Sequence, residues 1–399
     1  MKVAIINTLS VGSTGNIAKQ IRTIINSQGD IAEVFTGNWG ETYKTIRFGY
    51  KCENIISGIF SKITGFHHIY SIFGTFSLIK KLEDFSPDII HLHNLHLWVI
   101  NVPMLMSYLK KKNIKVVWTL HDCWSFTGRC PHFLITDCNK WQEGCRKCPY
   151  SKRGYPQTLL FDQSSFMWKA KKKWFSQIND LVIVTPSEWL SNLVKKSFLK
   201  DYPIKTINNG VDLNLFTLMK SNFKKKYNIN NKKIILGVAF DWGYSKGLDV
   251  FCDLAREIKD KYVIVLVGTN EEIDKTIPQN IISIHRTSNQ KELAEIYNSA
   301  DVFLNPTRED TFPTVNMEAL ACGTPVVTFK TGGSPEIINQ FTGIVLENQN
   351  ISEVMNAINK CCNSNIYSRD LCRKRAEMLF DKNERFMDYY KLYKELMKN

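Results

Sequence analysis

The chain predicts an α/β protein built from two doubly wound parallel sheets, and three observations carry that expectation. Short, continuously apolar runs recur along all 399 residues, as strands buried on both faces require. Segments with one-sided helical periodicity fill the gaps between them. The length exceeds what one hydrophobic core comfortably supports, which points to two domains.

Taken in order, strands are predicted at residues 3–6, 88–93, 115–120, 181–185, 234–238, 262–267, 281–285, 302–305 and 325–329. Between the last pairs, Leu293, Ile296, Tyr297 and Ala300 recur on one helical face. The turn chemistry of Asn208-Asn209-Gly210-Val211-Asp212 and the Lys/Asn-rich stretch to Lys233 mark a domain break. The domains are therefore 1–210, with a Cys-rich insertion at 123–150, and 211–380. A terminal helix at 381–399 carries Phe386, Tyr389, Tyr390, Tyr393, Leu396 and Met397 on one side. It needs a surface to cover, and the N-terminal domain is one candidate.

The composition, 44% hydrophobic and 23% charged, is that of an ordinary globular protein. No apolar run approaches the ~20 residues that span a bilayer. The opening Met-Lys-Val-Ala-Ile-Ile-Asn is too brief for a signal-peptide core, so a cytoplasmic location is expected. Residues 1–210 hold 27 Lys and Arg against 14 Asp and Glu, whereas residues 211–399 hold 25 against 24. A basic half suits an anionic membrane surface, an anionic acceptor or nucleic acid; a merely solvated lysine-rich surface fits as well.

The densest chemistry lies at residues 300–325. A buried strand leads into a polar loop with Glu309 and Asp310, then a helix with Pro313 in its first turn, ended by Gly323 and Pro325. Val315, Ala319 and Cys322 form its apolar face, on which Glu318 also falls. A carboxylate there needs a polar partner. Free N–H groups at the helix start favour an anion such as phosphate. Near the N-terminus, Gly12, Ser13, Thr14 and Gly15 form a turn that lets backbone approach a ligand closely. The full Gly-x-Gly-x-x-Gly of a dinucleotide fold is absent.

These residues, with Asp88-Ile-Ile-His-Leu-His93, Thr119-Leu-His-Asp122, Thr185–Ser187, Asn209-Gly-Val-Asp212, Lys246-Gly-Leu-Asp249 and Thr331-Gly-Gly-Ser-Pro-Glu336, resemble the retaining GT-B glycosyltransferases that include glycogen synthase and many bacterial polysaccharide enzymes. The resemblance spans nearly the whole chain. It implies two Rossmann-like domains facing each other across a cleft. It implies transfer of a sugar, with retention, from a UDP- or GDP-sugar to a saccharide or lipid-diphosphate-linked acceptor in surface-polysaccharide assembly. The family's carboxylate pair, eight positions apart and usually Glu and Glu, becomes Asp310 and Glu318. Asp310 would hold the sugar hydroxyls and Glu318 the ribose. Lys246 and the backbone of Thr311, Phe312, Pro313 and Thr314 would neutralise the diphosphate. His121 would stand beside the transferring sugar, and Gly12–Gly15 would serve acceptor or phosphate. The family's usual Arg before Lys246 is missing; Asp241, Trp242, Gly243 and Tyr244 stand there. No cofactor is required for catalysis.

Cys130, Cys138, Cys145 and Cys148 are spaced Cys-x7-Cys-x6-Cys-x2-Cys, which suits tetrahedral zinc in a loop with little core of its own. An iron–sulfur cluster and free or bridged thiols remain alternatives, and a cysteine loop of this type occurs in some transferases of the family. His91, His93 and His96 lack a matching carboxylate pair and read as strand-end packing. The segment Phe166–Phe175 mixes aromatics with lysines. It suits a peripheral membrane contact or a surface helix with its rings turned inward. Two other functions compete: a nucleotide-sugar epimerase or hydrolase of the same fold, and a basic zinc protein that binds nucleic acid. The second leaves Glu318 and the phosphate-ready helix without purpose, so no nucleic-acid partner is expected.

Overall fold

The computed structural model describes residues 1–37, 44–152, 154–364 and 366–398. The chain forms two compact units, Met1–Ile207 with Phe386–Asn399, and Asn208–Arg385. The first is called unit 1 and the second unit 2.

In unit 1 the strands are β1 (Lys2–Asn7), β2 (Ile31–Gly37), β3 (Ile46–Phe48), β4 (Ile89–Leu92), β5 (Lys115–Thr119), β6 (Leu181–Thr185) and β7 (Ile204–Thr206). They pair in parallel in the order β3-β2-β1-β4-β5-β6-β7. Its helices are α1 (Gly12–Ser27), α2 (Lys51–Thr64), α3 (Ile72–Phe85), α4 (Val102–Lys112), α5 (Ser164–Phe175) and α6 (Glu188–Val194). Unit 2 adds α7 (Phe223–Lys226), β8 (Lys233–Val238), α8 (Leu248–Glu257), β9 (Tyr262–Val267), α9 (Glu271–Asp274), β10 (Ile281–Ile284), α10 (Gln290–Ser299) and β11 (Val302–Asn305). It continues with α11 (Thr314–Ala321), β12 (Val326–Phe329), α12 (Ser334–Ile337), β13 (Gly343–Leu346), α13 (Ile351–Asn363) and α14 (Arg369–Leu379), and α15 (Lys382–Lys398) returns the chain to unit 1. The second sheet runs β10-β9-β8-β11-β12-β13, also parallel.

Both sheets are buried on both faces, as their apolar strands dictate. Along β1, Ala4 and Ile6 enter one core cluster while Val3 and Ile5 enter another. Along β8, Ile234 and Leu236 face one cluster and Ile235 the other. The apolar runs at 181–185, 262–267 and 302–305 coincide with β6, β9 and β11; four others differ by one residue at one end, and 3–6 and 88–93 by one residue at both. Four strands escaped the sequence reading. Glu33 interrupts β2, while β3, β7 and β13 are edge strands of three or four residues. In α15, Phe386, Tyr389, Leu392 and Tyr393 are buried, whereas Met397, expected on that face, is 41% exposed.

The strand order reverses between β1 and β4 in unit 1 and between β8 and β11 in unit 2. Ligands of wound sheets bind beyond the carboxyl ends of the strands at such points. Among the described residues no helix is long and apolar enough to cross a membrane.

Candidate active site

The loops after β8 and β11 meet at the switch point of unit 2. Lys246 ends a single helical turn, Tyr244–Lys246. Its Nζ donates to Asp310 Oδ2 at 2.8 Å and to the Glu309 carbonyl at 3.2 Å. The lysine is about one-third exposed, so its charge still faces solvent. Arg308 staples the two loops. Its guanidinium grips both oxygens of Asp249 at 2.7 Å, donates to Tyr244 O and Gln349 Oε1, and lies 3.9 Å from the Tyr244 ring. Its backbone N–H donates to Ser245 O at 2.8 Å. This fork needs arginine, because an ammonium offers no planar pair of donors. Arg308 is thus a positioning residue, buried and held within the protein, that sequence reading overlooked.

Two glycines make the approach possible. Gly247 has φ +74°, and a Cβ there would lie 2.5 Å from Pro306 O. Gly332 has φ +55°, and its Cβ would lie 1.8 Å from the Asp310 carbonyl. The next residue, Gly333, donates its N–H to Thr311 O at 3.0 Å, so the 331–334 turn seats the acidic loop from behind.

α11 begins at Thr314, one residue later than the sequence suggested, with Pro313 as its N-cap. No side chain caps it. The Phe312 N–H reaches Asp310 Oδ1 at 3.3 Å. The helix buries Asn316, Met317, Ala319, Leu320 and Ala321 and leaves Thr314, Val315 and Glu318 half-buried along one side. The expected Val315–Ala319–Cys322 face is therefore split: Val315 shares the accessible side with Glu318. Burial pushes the Glu318 carboxyl up to about 7, against the lowering influence of the Tyr297 hydroxyl, which donates to Oε2 at 3.0 Å. Tyr297, from α10, is the polar partner a carboxylate in this setting requires.

In unit 1 the switch-point loops carry the other predicted residues. Gly12 opens α1 at φ +77°, and Gly15 packs so close that a Cβ would lie 2.6 Å from the Ser10 carbonyl carbon. Asn7 ties this loop to the next, donating to Leu9 O and Thr14 Oγ1 and accepting from the Asn94 N–H. Ser13 is exposed and Thr14 half-buried. His121, just past β5, stacks on His93 and shares a 2.8 Å hydrogen bond with its Nδ1. Burial lowers the His121 imidazolium to about 4, so the ring is neutral near pH 7. Burial would raise Asp122, but His96 at 3.0 Å holds its carboxyl down at about 2. His91 bonds Thr119 Oγ1 and the Tyr393 hydroxyl. The histidines form hydrogen-bonded pairs with neighbours, and no group of three or more His, Cys, Asp or Glu among the described residues is set to hold a metal ion.

The cysteine insertion departs from expectation in having a core. Phe126 and Phe133 pack on the buried Trp141, whose carbonyl accepts from Trp168 Nε1 at 2.8 Å. Lys171 is fully buried, donates to Trp124 O and Thr127 O at 2.7 and 3.1 Å, and sits 3.8 Å from the Trp124 ring centroid. Cys130, Cys138, Cys145 and Cys148 line one pocket with Arg129, and the Gly128 N–H points at Cys145 Sγ at 3.1 Å. Helix α5 turns Met167, Trp168, Lys171 and Phe175 inward and exposes Phe166. The inward face of the aromatic–lysine segment is therefore packing, as its surface-helix alternative expected.

Comparison with known proteins follows this division. Residues 26–215 match the family described as Glycosyltransferase Family 4, and residues 219–378 match Glycosyl transferases group 1. The chain is 23% identical over 337 residues to the putative colanic acid biosynthesis glycosyl transferase WcaC of Escherichia coli K12, covering 82% of this chain and 81% of that protein. It is 26% identical over 262 residues to the N,N'-diacetylbacillosaminyl-diphospho-undecaprenol alpha-1,3-N-acetylgalactosaminyltransferase of Campylobacter jejuni, covering 63% and 68%. Among solved structures, sucrose-phosphate synthase from Thermosynechococcus elongatus superposes over 100% of this chain and 99% of its own, with a TM-score of 0.75 at 17% identity. Anabaena Alr3699/HepE in complex with UDP does so over 99% and 100%, with a TM-score of 0.69 at 13% identity. The epimerase, hydrolase and nucleic-acid readings are not favoured by these matches. The two family matches together take in most of both units and both describe glycosyltransferases, so the chain is a glycosyltransferase of GT-B fold.

Proposed function

We propose that this glycosyltransferase moves a sugar from a nucleoside-diphosphate sugar to a saccharide acceptor carried on a lipid diphosphate, with retention, in surface-polysaccharide assembly at the inner face of the membrane. The observation that carries the reading is the Lys246–Asp310 contact of 2.8 Å beside the uncapped start of α11, at the switch point of unit 2. An ammonium one-third exposed and free helix N–H groups suit a diphosphate. Glu318, reachable along the accessible side of α11, would take the ribose hydroxyls, and Asp310 the sugar hydroxyls. UDP is favoured as carrier because Anabaena HepE holds it in a structure of the same fold. The C. jejuni relative's name, with its diphospho-undecaprenol, motivates the lipid-linked acceptor.

In the step itself the bond from the anomeric carbon to the β-phosphate oxygen breaks, and the acceptor oxygen bonds to that carbon on the same face. The acceptor proton passes to the departing diphosphate, whose charge Lys246 and the helix N-terminus stabilise. His121, neutral at pH 7, would accept or donate a hydrogen bond to the sugar without adding charge. UDP release should depend on acceptor, and early product should keep the donor's anomeric coupling by NMR. Acceptor-independent release would point instead to hydrolysis, and an inverted coupling would remove retention.

The four cysteines of the insertion are proposed to bind one structural zinc. Their donor set suits it chemically, and closing the site requires the thiols to turn toward a common point. Metal analysis of the purified protein should find about one zinc per chain, lost in Cys130→Ser/Cys145→Ser; a protein free of both zinc and iron ends this reading.

A further inference from the structure

Helix α2 is built inside out. Surface helices of globular proteins bury their apolar stripe and show a polar one. Here the buried residues are Asn54, Ser57, Gly58 and Ser61, while Ile55, Ile56, Ile59 and Phe60 are each at least 50% exposed. The small residues let α2 pack close. Ser71 Oγ donates to Ser57 Oγ at 3.0 Å, and the Trp98 ring lies 3.4 Å from where a Gly58 Cβ would stand. The start of α3 extends the surface with Ile72, Phe73 and Phe76 at 52, 72 and 63% exposure. The loop after the insertion joins it at the other end, where the Leu159 N–H bonds Lys62 O at 2.7 Å and Leu160 and Phe161 stand exposed. Seven large apolar side chains, each at least half exposed, thus stand together on two neighbouring helices, a grouping that marks interaction surfaces.

We propose that this α2–α3 face is the surface that seats the enzyme on an anionic lipid bilayer, with isoleucines and phenylalanines entering the acyl boundary. It deepens, and rests on, the membrane part of the reading above. The charges around the patch choose the occupant. Lys51, Lys62 and Lys80 are exposed, and Lys80 lines a groove of about 540 Å³ with Tyr50, Phe73 and Phe76. Glu53, which lines the same groove, is taken up by the backbone N–H groups of Phe73 and Gly74 at 2.8 and 2.7 Å. The face therefore presents apolar side chains rimmed by exposed lysines, the pattern that anionic headgroups attract. Unit 1 as a whole holds 30 Lys and Arg against 16 Asp and Glu, whereas unit 2 holds 22 of each. A second copy of this chain meeting the same patch would set lysine rim against lysine rim.

The test is flotation of the full chain with vesicles of equal parts phosphatidylglycerol and phosphatidylcholine, against phosphatidylcholine alone. The wild type should float with the anionic vesicles, more weakly as salt rises. Ile59→Glu/Phe60→Glu, at outward-facing positions, should lose at least tenfold in bound fraction while keeping its circular dichroism and melting temperature. Lys51→Glu/Lys80→Glu should lose the preference for anionic lipid. Wild type that stays in the aqueous phase with both vesicles overturns the proposal. So does a dimer in light scattering that Ile59→Glu/Phe60→Glu dissociates without any vesicle binding. Calorimetric UDP binding, a property expected of unit 2, separates the two readings. Its absence with flotation intact removes the donor assignment and leaves this surface standing.

Discussion

Two lysines show how differently the two units use one side chain. Lys246 in unit 2 is a third exposed, held by one carboxylate on a loop stapled from three sides. Lys171 in unit 1 is fully buried, held by two backbone carbonyls against the face of Trp124, and burial lowers its ammonium to about 7. Their exposure separates them. A charge that must meet a ligand keeps part of its surface in water, whereas a charge that closes an insertion gives up water for fixed dipoles.

Breaking each lysine should therefore give opposite signatures. Lys246→Ala should cut kcat/KM by about 10³-fold, comparable to losing an oxyanion-type donor, with an unchanged melting temperature. Similar turnover in the variant would detach Lys246 from the reaction. Lys171→Met should leave UDP binding intact but cost about 2–3 kcal/mol of stability, because Trp124 O and Thr127 O lose their donor. A thermal unfolding midpoint equal to wild type would show that the insertion does not depend on it.

Smaller changes sharpen the unit 2 side. Gly332→Ala places a methyl where the Asp310 carbonyl stands, and a displacement of roughly 1 Å in that loop should reduce kcat/KM by about 10²-fold. Full activity would mean the 331–334 turn does not seat the acid. Tyr297→Phe is the mildest. Its hydroxyl lowers Glu318, so its removal should move the acidic limb of the donor kcat/KM profile upward from about 7 by roughly half a pH unit. Because the folded Glu318 holds its proton more tightly than an unfolded glutamate, its contribution to stability is present below the ordinary carboxylate range and is lost as pH rises through about 7. A profile that does not move would leave Glu318 outside donor binding.

The parallel sheets were readable because their strands are apolar on both sides, and a run such as Tyr262–Val267 has no other good use. Edge strands such as β3 and β7 were not, since three residues carry no periodicity. In unit 2, Glu318 stood out on its apolar helix face, and Lys246 and Asp310 through the family resemblance, whereas Arg308 looked like one more loop charge. Its role depends on Asp249 and Gln349, distant in the chain and invisible before folding. Tyr297 was read only as a core position of α10, because a hydroxyl aimed at Glu318 leaves no local trace. In unit 1 the lysines and aromatics at 166–175 left two readings open, a membrane contact or rings turned inward, and Met167, Trp168 and Phe175 follow the second. Periodicity says that a helix has two faces, but not which one its neighbours cover.

By itself the sequence determined the two wound sheets, the loops at their strand ends, and the residue types able to meet a diphosphate, because those features follow from local hydrophobicity, glycine geometry and spacing. Tertiary structure alone decided that α2 turns its isoleucines outward, that Lys171 is sunk, and that Arg308 holds the Lys246 loop. Each of those outcomes depends on which surface arrives from far along the chain, and close packing through Ser57, Gly58 and Ser61 outweighed the usual preference of α2 for an apolar interior.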